Sequence, residues 1–329
     1  MKVRRRDFIT LLGGAGAAWP VAARAQQTAL PVIGFVGTGS PERTVYLLSA
    51  FRKGLSEAGF VEGKNVSIEY RWANNAYDRL PEIMADLVRL RVAVITTPFS
   101  TAGAGAAKAA TTTIPIVFSI AGDPVQLGLV ASLNRPGGNL TGWTNLNVEL
   151  DPRRLELLHE LVPRATVLAH LVNPNNPYTG SEITSVQDAA GAIGLSVEVL
   201  TASTNPEIDA AFVNLIEKRA NALLISPDNL FSNRRVQITT LSARHAVPTI
   251  YPYREDAEAG GMMSYGANIP EEYRQVGVYT GRILHGEKPA DLPVLQPTKF
   301  ELLINLQTAK TLGITVPQTL LVTADEVIE

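Results

Sequence analysis

Cysteine is absent from all 329 residues. That excludes a disulfide framework, a thiol nucleophile and any thiolate metal site. It also excludes lipid attachment, which needs a cysteine just after a leader. Histidine is nearly as scarce. His159, His170, His245 and His285 are far apart and show no ligand spacing. There is no G-x-S-x-G elbow, no Walker loop and no H-E-x-x-H. No uninterrupted apolar run reaches about 18 residues, so no membrane span is expected. Solenoid repeats, coiled-coil heptads and low-complexity tracts are missing too.

What is present begins with RRRDFITLLGGAGAAWPVAARAQQ. Arg4, Arg5 and Arg6 precede an apolar stretch from Phe8 to Ala18 that is too short to span a bilayer, which takes about 20 residues. Ala23-Arg24-Ala25 fits a small-x-small cleavage site, with Gln26 as the new N-terminus. Residues 1–25 therefore read as a cleaved signal peptide. Arg5-Arg6-Asp7-Phe8-Ile9 resembles a twin-arginine export motif. The glycines that thin the apolar run and the charge of Arg24 favour that route over the general secretory one. Arg4 and Thr10 depart from the usual pattern. The expected location is a Gram-negative periplasm, with the mature protein soluble and unanchored.

Removing residues 1–25 takes away five basic and one acidic residue, leaving 24 Lys and Arg against 30 Asp and Glu. An acidic balance argues against a nucleic-acid partner. The remaining 304 residues exceed what one core usually holds, so two domains are expected.

Short β-prone runs alternate with helix-period segments. Strands are expected at 31–37, 66–72, 92–97 and 115–120, with helices at 45–59, 80–91 and 102–110. The second half repeats the scheme, with strands at 167–172, 196–201, 222–226 and 248–253. Helices lie between them near 178–194, 206–220 and 232–245. Such alternation implies parallel sheets flanked by helices. The halves also echo one another: VITTPFS and LLISPDN each end a strand in a proline and a polar loop. The fold class is α/β, with two Rossmann-like doubly wound lobes. Passages near 136–146, 260–266 and 290–305 would form a three-strand hinge. The lobes are then 28–143 plus 261–290, and 144–260 plus 291–329.

Candidate site residues sit where strands end, since the carboxyl ends of parallel strands face the ligand crevice. GTGSPE (37–42) offers the hydroxyls of Thr38 and Ser40 and turning glycines. It lacks a full dinucleotide fingerprint, and a plain turn is the alternative. In PFSTAG (98–103), Ser100 or Thr101 can cap a helix whose free N–H groups favour a carboxylate. Phe99 can stack on a ligand or pack beneath the loop. Asp123 follows the 115–120 strand and can pair with a ligand ammonium or cap the helix that Pro124 starts. Asn173 and Asp228 hold corresponding places in the second half, where turn roles are the alternative. Tyr251, Tyr253 and Tyr265 lie near the second passage, to line the cleft or pack the hinge. An ammonium at Asp123 and a carboxylate at Ser100–Thr101 would suit a zwitterion. No cofactor and no metal is expected.

GDPVQLGLVASLNRPGGNLTG (122–142) resembles the signature of a family of ABC-transporter substrate-binding proteins, some of which bind aromatic amino acids. ISPDNLF (225–231), PTIYPYREDAEAGGMMSYG (248–266) and FELLINLQTAKTLGI (300–314) extend the resemblance over the mature chain. It implies a type I periplasmic-binding fold, a cleft that closes on a small ligand, an inner-membrane ABC permease as partner, a monomer and no catalysis. Matching the motif loops points to Ser40, Ser100, Thr101 and Asp123 in one lobe, with Asn173 and Asp228 in the other. The twin-arginine leader and missing lipid-attachment cysteine depart from the lipoprotein form of Gram-positive relatives. An exported α/β enzyme and a ligand-binding partner of a membrane sensor are the alternative functions.

Overall fold

The computed structural model describes residues 30–41 and 44–329. The leader read at 1–25, with its export motif and cleavage site, lies outside the described residues.

Strands β1 (Val32–Gly37), β2 (Ser67–Trp72), β3 (Val94–Thr97), β4 (Ile116–Ile120) and β5 (Leu140–Thr144) form one sheet. Its order is β2-β1-β3-β4-β5, and every pairing is parallel. The second sheet contains β6 (Val167–Val172), β7 (Ser196–Thr201), β8 (Ala222–Ile225), β9 (Thr249–Tyr251), β10 (Met263–Gly266), β11 (Glu301–Asn305) and β12 (Glu326–Ile328). Its order is β12-β11-β10-β9-β8-β6-β7. Reversed, that order begins β7-β6-β8-β9-β10, the same winding as the first sheet. The echo between the halves is thus a repeat of topology. One difference from the expected parallel sheets is β11, which runs antiparallel to β10.

The helices are α1 (Val45–Glu57), α2 (Leu80–Arg89), α3 (Thr101–Ala110), α4 (Asp151–Leu161), α5 (Thr179–Ala192), α6 (Asn205–Glu217), α7 (Asn229–Asn233), α8 (Arg235–Arg244), α9 (Arg254–Glu258) and α10 (Ile269–Leu284), with two short ones near the C-terminus. Side chains that alternate along the strands fill opposite faces. Ile95, Ile116 and Phe118 pack with Leu80, Met84 and Leu87 of α2. Val94 and Val117 turn the other way, onto Phe51 of α1 and Val276 of α10. In the second sheet, Leu168, Leu224 and Ile250 pack on Leu155 and Leu158 of α4. Leu171, Leu223 and Ile225 meet Phe212 of α6 and Ile238 of α8. Each sheet is therefore buried on both faces, which explains strands that read as unbroken apolar runs.

The chain passes between the lobes three times: after β5 at 145–150, after β10 at 267–268, and before β11 at 296–300. All three passages are irregular. The segment 261–290, expected in the first lobe, divides between the two. β10 pairs with β9 and β11 of the second sheet. α10 packs in the first lobe against α1, where a Cβ at Gly54 or Gly277 would meet the facing helix backbone. Glycine permits that close approach.

A buried carboxyl holds the first passage to α10. Glu272 of α10 is fully buried, and one of its oxygens accepts from Asn145 Nδ2 at 2.8 Å. Burial raises its pKa from 4.5 to about 7. The folded protein therefore holds this proton more tightly than the unfolded chain. The resulting stabilisation is complete below the unfolded pKa and is lost as pH rises through the folded pKa. The loss is about 3 kcal/mol. Glu272→Gln keeps the acceptor and removes the titration. In urea unfolding at pH 4.5 and pH 8, the variant is expected to lose about 2–3 kcal/mol less stability over that interval than the wild type. Equal losses would contradict the account.

Candidate functional site

Loops at the carboxyl ends of strands from both sheets converge on one cavity. The first lobe contributes Tyr77, Phe99, Ser100, Thr101 and Ala121, and the second contributes Asn176, Asp228, Asn229 and Tyr253. The two echoed loops face each other here. Asn229 Nδ2 donates across the cleft to Phe99 O at 2.6 Å and to Thr38 Oγ1 at 2.5 Å. Further along, Asn233 Nδ2 donates to Asn75 Oδ1 at 2.9 Å. Tyr178 of the second lobe lies against Gly122 of the first, where an added Cβ would fall 2.7 Å from its ring. The lobes are closed on each other.

Each wall has a local cause. Ser100 is the N-cap of α3, its Oγ accepting from Gly103 N at 2.8 Å. That fixes the helix start at the cavity. Phe99 has φ +55°, a backbone region unfavourable for a bulky residue. Its N–H donates to Ser119 Oγ at 2.6 Å, while its carbonyl is held by Asn229. Phe99 and Tyr253 meet edge to face, with centroids 5.1 Å apart. Asp228 caps α7 through Leu230 N at 2.8 Å. Its carboxylate also accepts from Asn173 Nδ2 at 3.0 Å and Asn176 Nδ2 at 3.1 Å. Burial pushes the Asp228 carboxyl up, against these three donors.

Of the residues singled out from sequence, Phe99, Ser100, Thr101, Asp228 and Tyr253 line this cavity. Asn173 stands behind Asp228 and faces an adjoining, more open cavity that shares Tyr77 and Ala102. Thr38 is buried at the closed edge, bonded to Asn229. Ser40 lines none of these walls; its carbonyl accepts from Thr44 Oγ1. Asp123 also lies apart: its Oδ1 accepts from Val125 N at 2.7 Å and Gln126 N at 3.4 Å. Tyr265 sits on β10 against Phe300, and its carbonyl accepts from Arg154. Tyr251 is buried in the second core. Tyr77, Asn176 and Asn229 were not singled out. Asn229 follows Asp228 in the echoed loop and had a signal; Tyr77 comes from the loop after β2 and had none.

Beneath the cavity floor lies a buried polar cluster. Ser226 Oγ is 2.8 Å from His170 Nε2, and Asp151 Oδ2 approaches that same nitrogen at 4.0 Å. A hydrolytic triad needs its acid on the other ring nitrogen, and here all three groups are sealed from solvent. Desolvation lowers His170 to about 3, so the ring stays neutral. Arg154 spans the cluster, the first passage and β10. Its guanidinium donates to Asp151 Oδ1 at 2.5 Å, Asn147 O at 2.7 Å, Asn147 Oδ1 at 2.9 Å and Tyr265 O at 2.7 Å. Among the described residues, no group of three acidic or histidine side chains is placed to hold a metal, and no helix is long and apolar enough to cross a membrane.

Two similarly wound α/β lobes, three passages and a cavity walled from both sides define the class of two-lobed ligand-binding proteins. Within it, residues 38–328 match the ABC transporter substrate binding protein family, and the chain belongs to that family. The family is one of binding proteins rather than enzymes. The chain is 28% identical over 262 residues to the tyrosine-binding protein of Clostridioides difficile (strain R20291), covering 80% of this chain and 75% of that one. It superposes on the ABC domain from Streptococcus pneumonia in complex with L-Trp with a TM-score of 0.82. That match has 23% identity and covers 91% of this chain and all of the other. A ligand-free, open substrate-binding protein from Clostridium difficile matches with a TM-score of 0.64 at 24% identity, over 91% of this chain and 99% of that one.

Proposed function

We propose that this chain is the solute-binding component of an ABC importer, exported to the periplasm, and that it closes on a small zwitterion between its lobes. An amino acid, aromatic by first choice, is the proposed ligand. The observation that carries this reading is the cavity itself: both lobes supply its walls, and Asn229 bonds directly from one to the other. Only about 30 Å³ of free space lies within those walls, on the order of one or two waters. A larger ligand therefore needs the lobes to part and to close on it less fully than they are closed here. Two similarities support this. The tyrosine-binding relative and the L-Trp complex point to aromatic amino acids. The open structure fits this closed chain less well than the L-Trp complex does, at nearly equal identity.

The proposed lobes are 30–145 with 267–295, and 147–266 with 296–329, joined at Leu146 in the first passage. Phe99 and Tyr253 offer ring faces. The start of α3 at Ser100–Thr101 offers N–H groups to a carboxylate. Asp228 takes the ammonium, since Asp123 is turned into its own loop. The permease would recognise the closed form. No cofactor takes part, and the protein acts as a soluble monomer.

A thermal-shift screen of amino acids and small carboxylates tests this. A ligand at a hundred times its dissociation constant adds about 2.7 kcal/mol to stability. Asp228→Asn is expected to weaken the identified ligand at least about tenfold, because a buried charge partner is lost. Asp123→Asn should leave affinity within about twofold. The reverse order would return the ammonium to Asp123. A screen without any shift would remove the support for a ligand.

A further inference from the structure

Seven non-glycine residues have a positive φ among the described residues: Asn74, Asn75, Arg91, Phe99, Leu146, Arg219 and Ala246. Five have ordinary reasons. Asparagine tolerates the left-handed region. Arg91, Arg219 and Ala246 each come one residue after the C-cap of α2, α6 or α8, the place where helices commonly end left-handed. Phe99 is fixed by the cavity. Leu146, with φ +55°, ends no helix and lines no cavity described above.

Its neighbours are fastened to different bodies. Asn145 belongs to the first lobe: its N–H donates to Ile120 O at 2.9 Å and its Nδ2 to Glu272. Asn147 belongs to the second: its carbonyl and Oδ1 are both held by Arg154. Its Oδ1 also accepts from Ala267 N at 3.3 Å, which ties in the second passage. Asn147 N also donates to Asn145 Oδ1 at 3.1 Å, which closes the turn at Leu146, so a relative rotation of the lobes must either open that bond or turn about Leu146. One further bond, from Val148 N to Ala121 O at 3.0 Å, returns from the passage to the first lobe and would break on opening.

We infer that Leu146 is the pivot of lobe closure, and that its left-handed backbone is strain present in the closed form and released on opening. Strain of this kind persists only where the surroundings over-determine it, as the Glu272–Asn145 and Arg154–Asn147 anchors do here. Leu146 thereby biases the unliganded protein toward the open form. This inference rests on the proposed closure, though its test needs no ligand. Glycine adopts the left-handed region without penalty, and a β-branched residue is worse there than leucine. Leu146→Gly is expected to raise the closed-to-open ratio about tenfold, and Leu146→Val to lower it.

The test uses the absence of cysteine. Lys64→Cys and Ser185→Cys, exposed residues of opposite lobes, are spin-labelled and their distance distribution is measured. Gly122→Val, which keeps Tyr178 from closing, supplies the open reference. Without ligand, Leu146→Gly should move population away from that reference and Leu146→Val toward it. Adding L-tyrosine or L-tryptophan to the wild type asks the separate question of ligand-driven closure. If both variants keep the wild-type distribution, or move it the other way, Leu146 is not the pivot. A ligand that fails to shift the wild type while the variants separate would instead count against the ligand assignment alone.

Discussion

Gly122→Val is expected to leave the protein folded and to weaken ligand binding by between about fivefold and 150-fold. Even the first carbon of a side chain at this position falls 2.7 Å from two ring atoms of Tyr178, closer than carbon atoms pack. Tyr178 is 5% exposed in the closed form and has little room to retreat. Overpacking at such a contact costs about 1–3 kcal/mol, which the affinity arithmetic converts to that range. The penalty falls on the closed form only, because Gly122 and Tyr178 belong to different lobes. Urea unfolding should therefore change little while calorimetric affinity drops. Tyr178→Ala in the same chain removes the ring and should restore most of the loss. Unchanged affinity in the single variant would show that closure does not bring these residues together.

The largest effect on stability is expected at Arg154. Its guanidinium is buried, donates to four oxygens and has Asp151 as its ion-pair partner. Burial raises the Asp151 carboxyl pKa and Arg154 opposes the rise. Arg154→Met leaves that carboxyl buried without its cation and the Asn147 and Tyr265 carbonyls without their donor. Removing one partner of a buried pair costs about 3–5 kcal/mol, a large share of a typical stability of about 5–15 kcal/mol. Arg154→Met with Asp151→Leu exchanges the pair for apolar packing and should recover much of the loss. Urea unfolding of both variants decides this. A loss under about 1 kcal/mol in the single variant would mean that the cluster is hydrated or rearranged.

What sequence made legible follows from where the information lies. β6 begins and ends at the expected residues, because a strand covered on both faces is an apolar run with polar ends; β7 does so as an edge strand, where Val197 and Val199 alternate with Ser196 and Glu198. The expected helix at 232–245 became α7 and α8. No proline or glycine marks the break, which follows from Asp228 capping a short first helix. β10 went to the second sheet because its partners are the distant Ile250–Tyr251 and Glu301–Asn305, and pairing over such separations leaves no local trace. α4 and α10, where the periodicity predicts no helix, each begin with a proline in the first turn, a common helix start.

The site was legible in half. The echo placed 98–101 and 227–229 in corresponding loops, and these loops do face each other. Asp123 shows the limit: a carboxylate past a strand end suits a ligand ammonium or its own turn equally well. Only the positions of Val125 N and Gln126 N separate those readings. Arg154 carried no signal as a buried cation, since its charge is matched by oxygens from three separate segments.

Calorimetric titration of L-tyrosine and L-tryptophan into protein unfolded and refolded to strip any carried ligand tests the central claim most directly. The account predicts saturable binding of one molecule per chain for at least one of them, weakened at least about tenfold by Phe99→Ala, which removes a ring from the cavity wall. Heat that never saturates with either compound in correctly folded protein, or affinity that Phe99→Ala leaves unchanged, would contradict it.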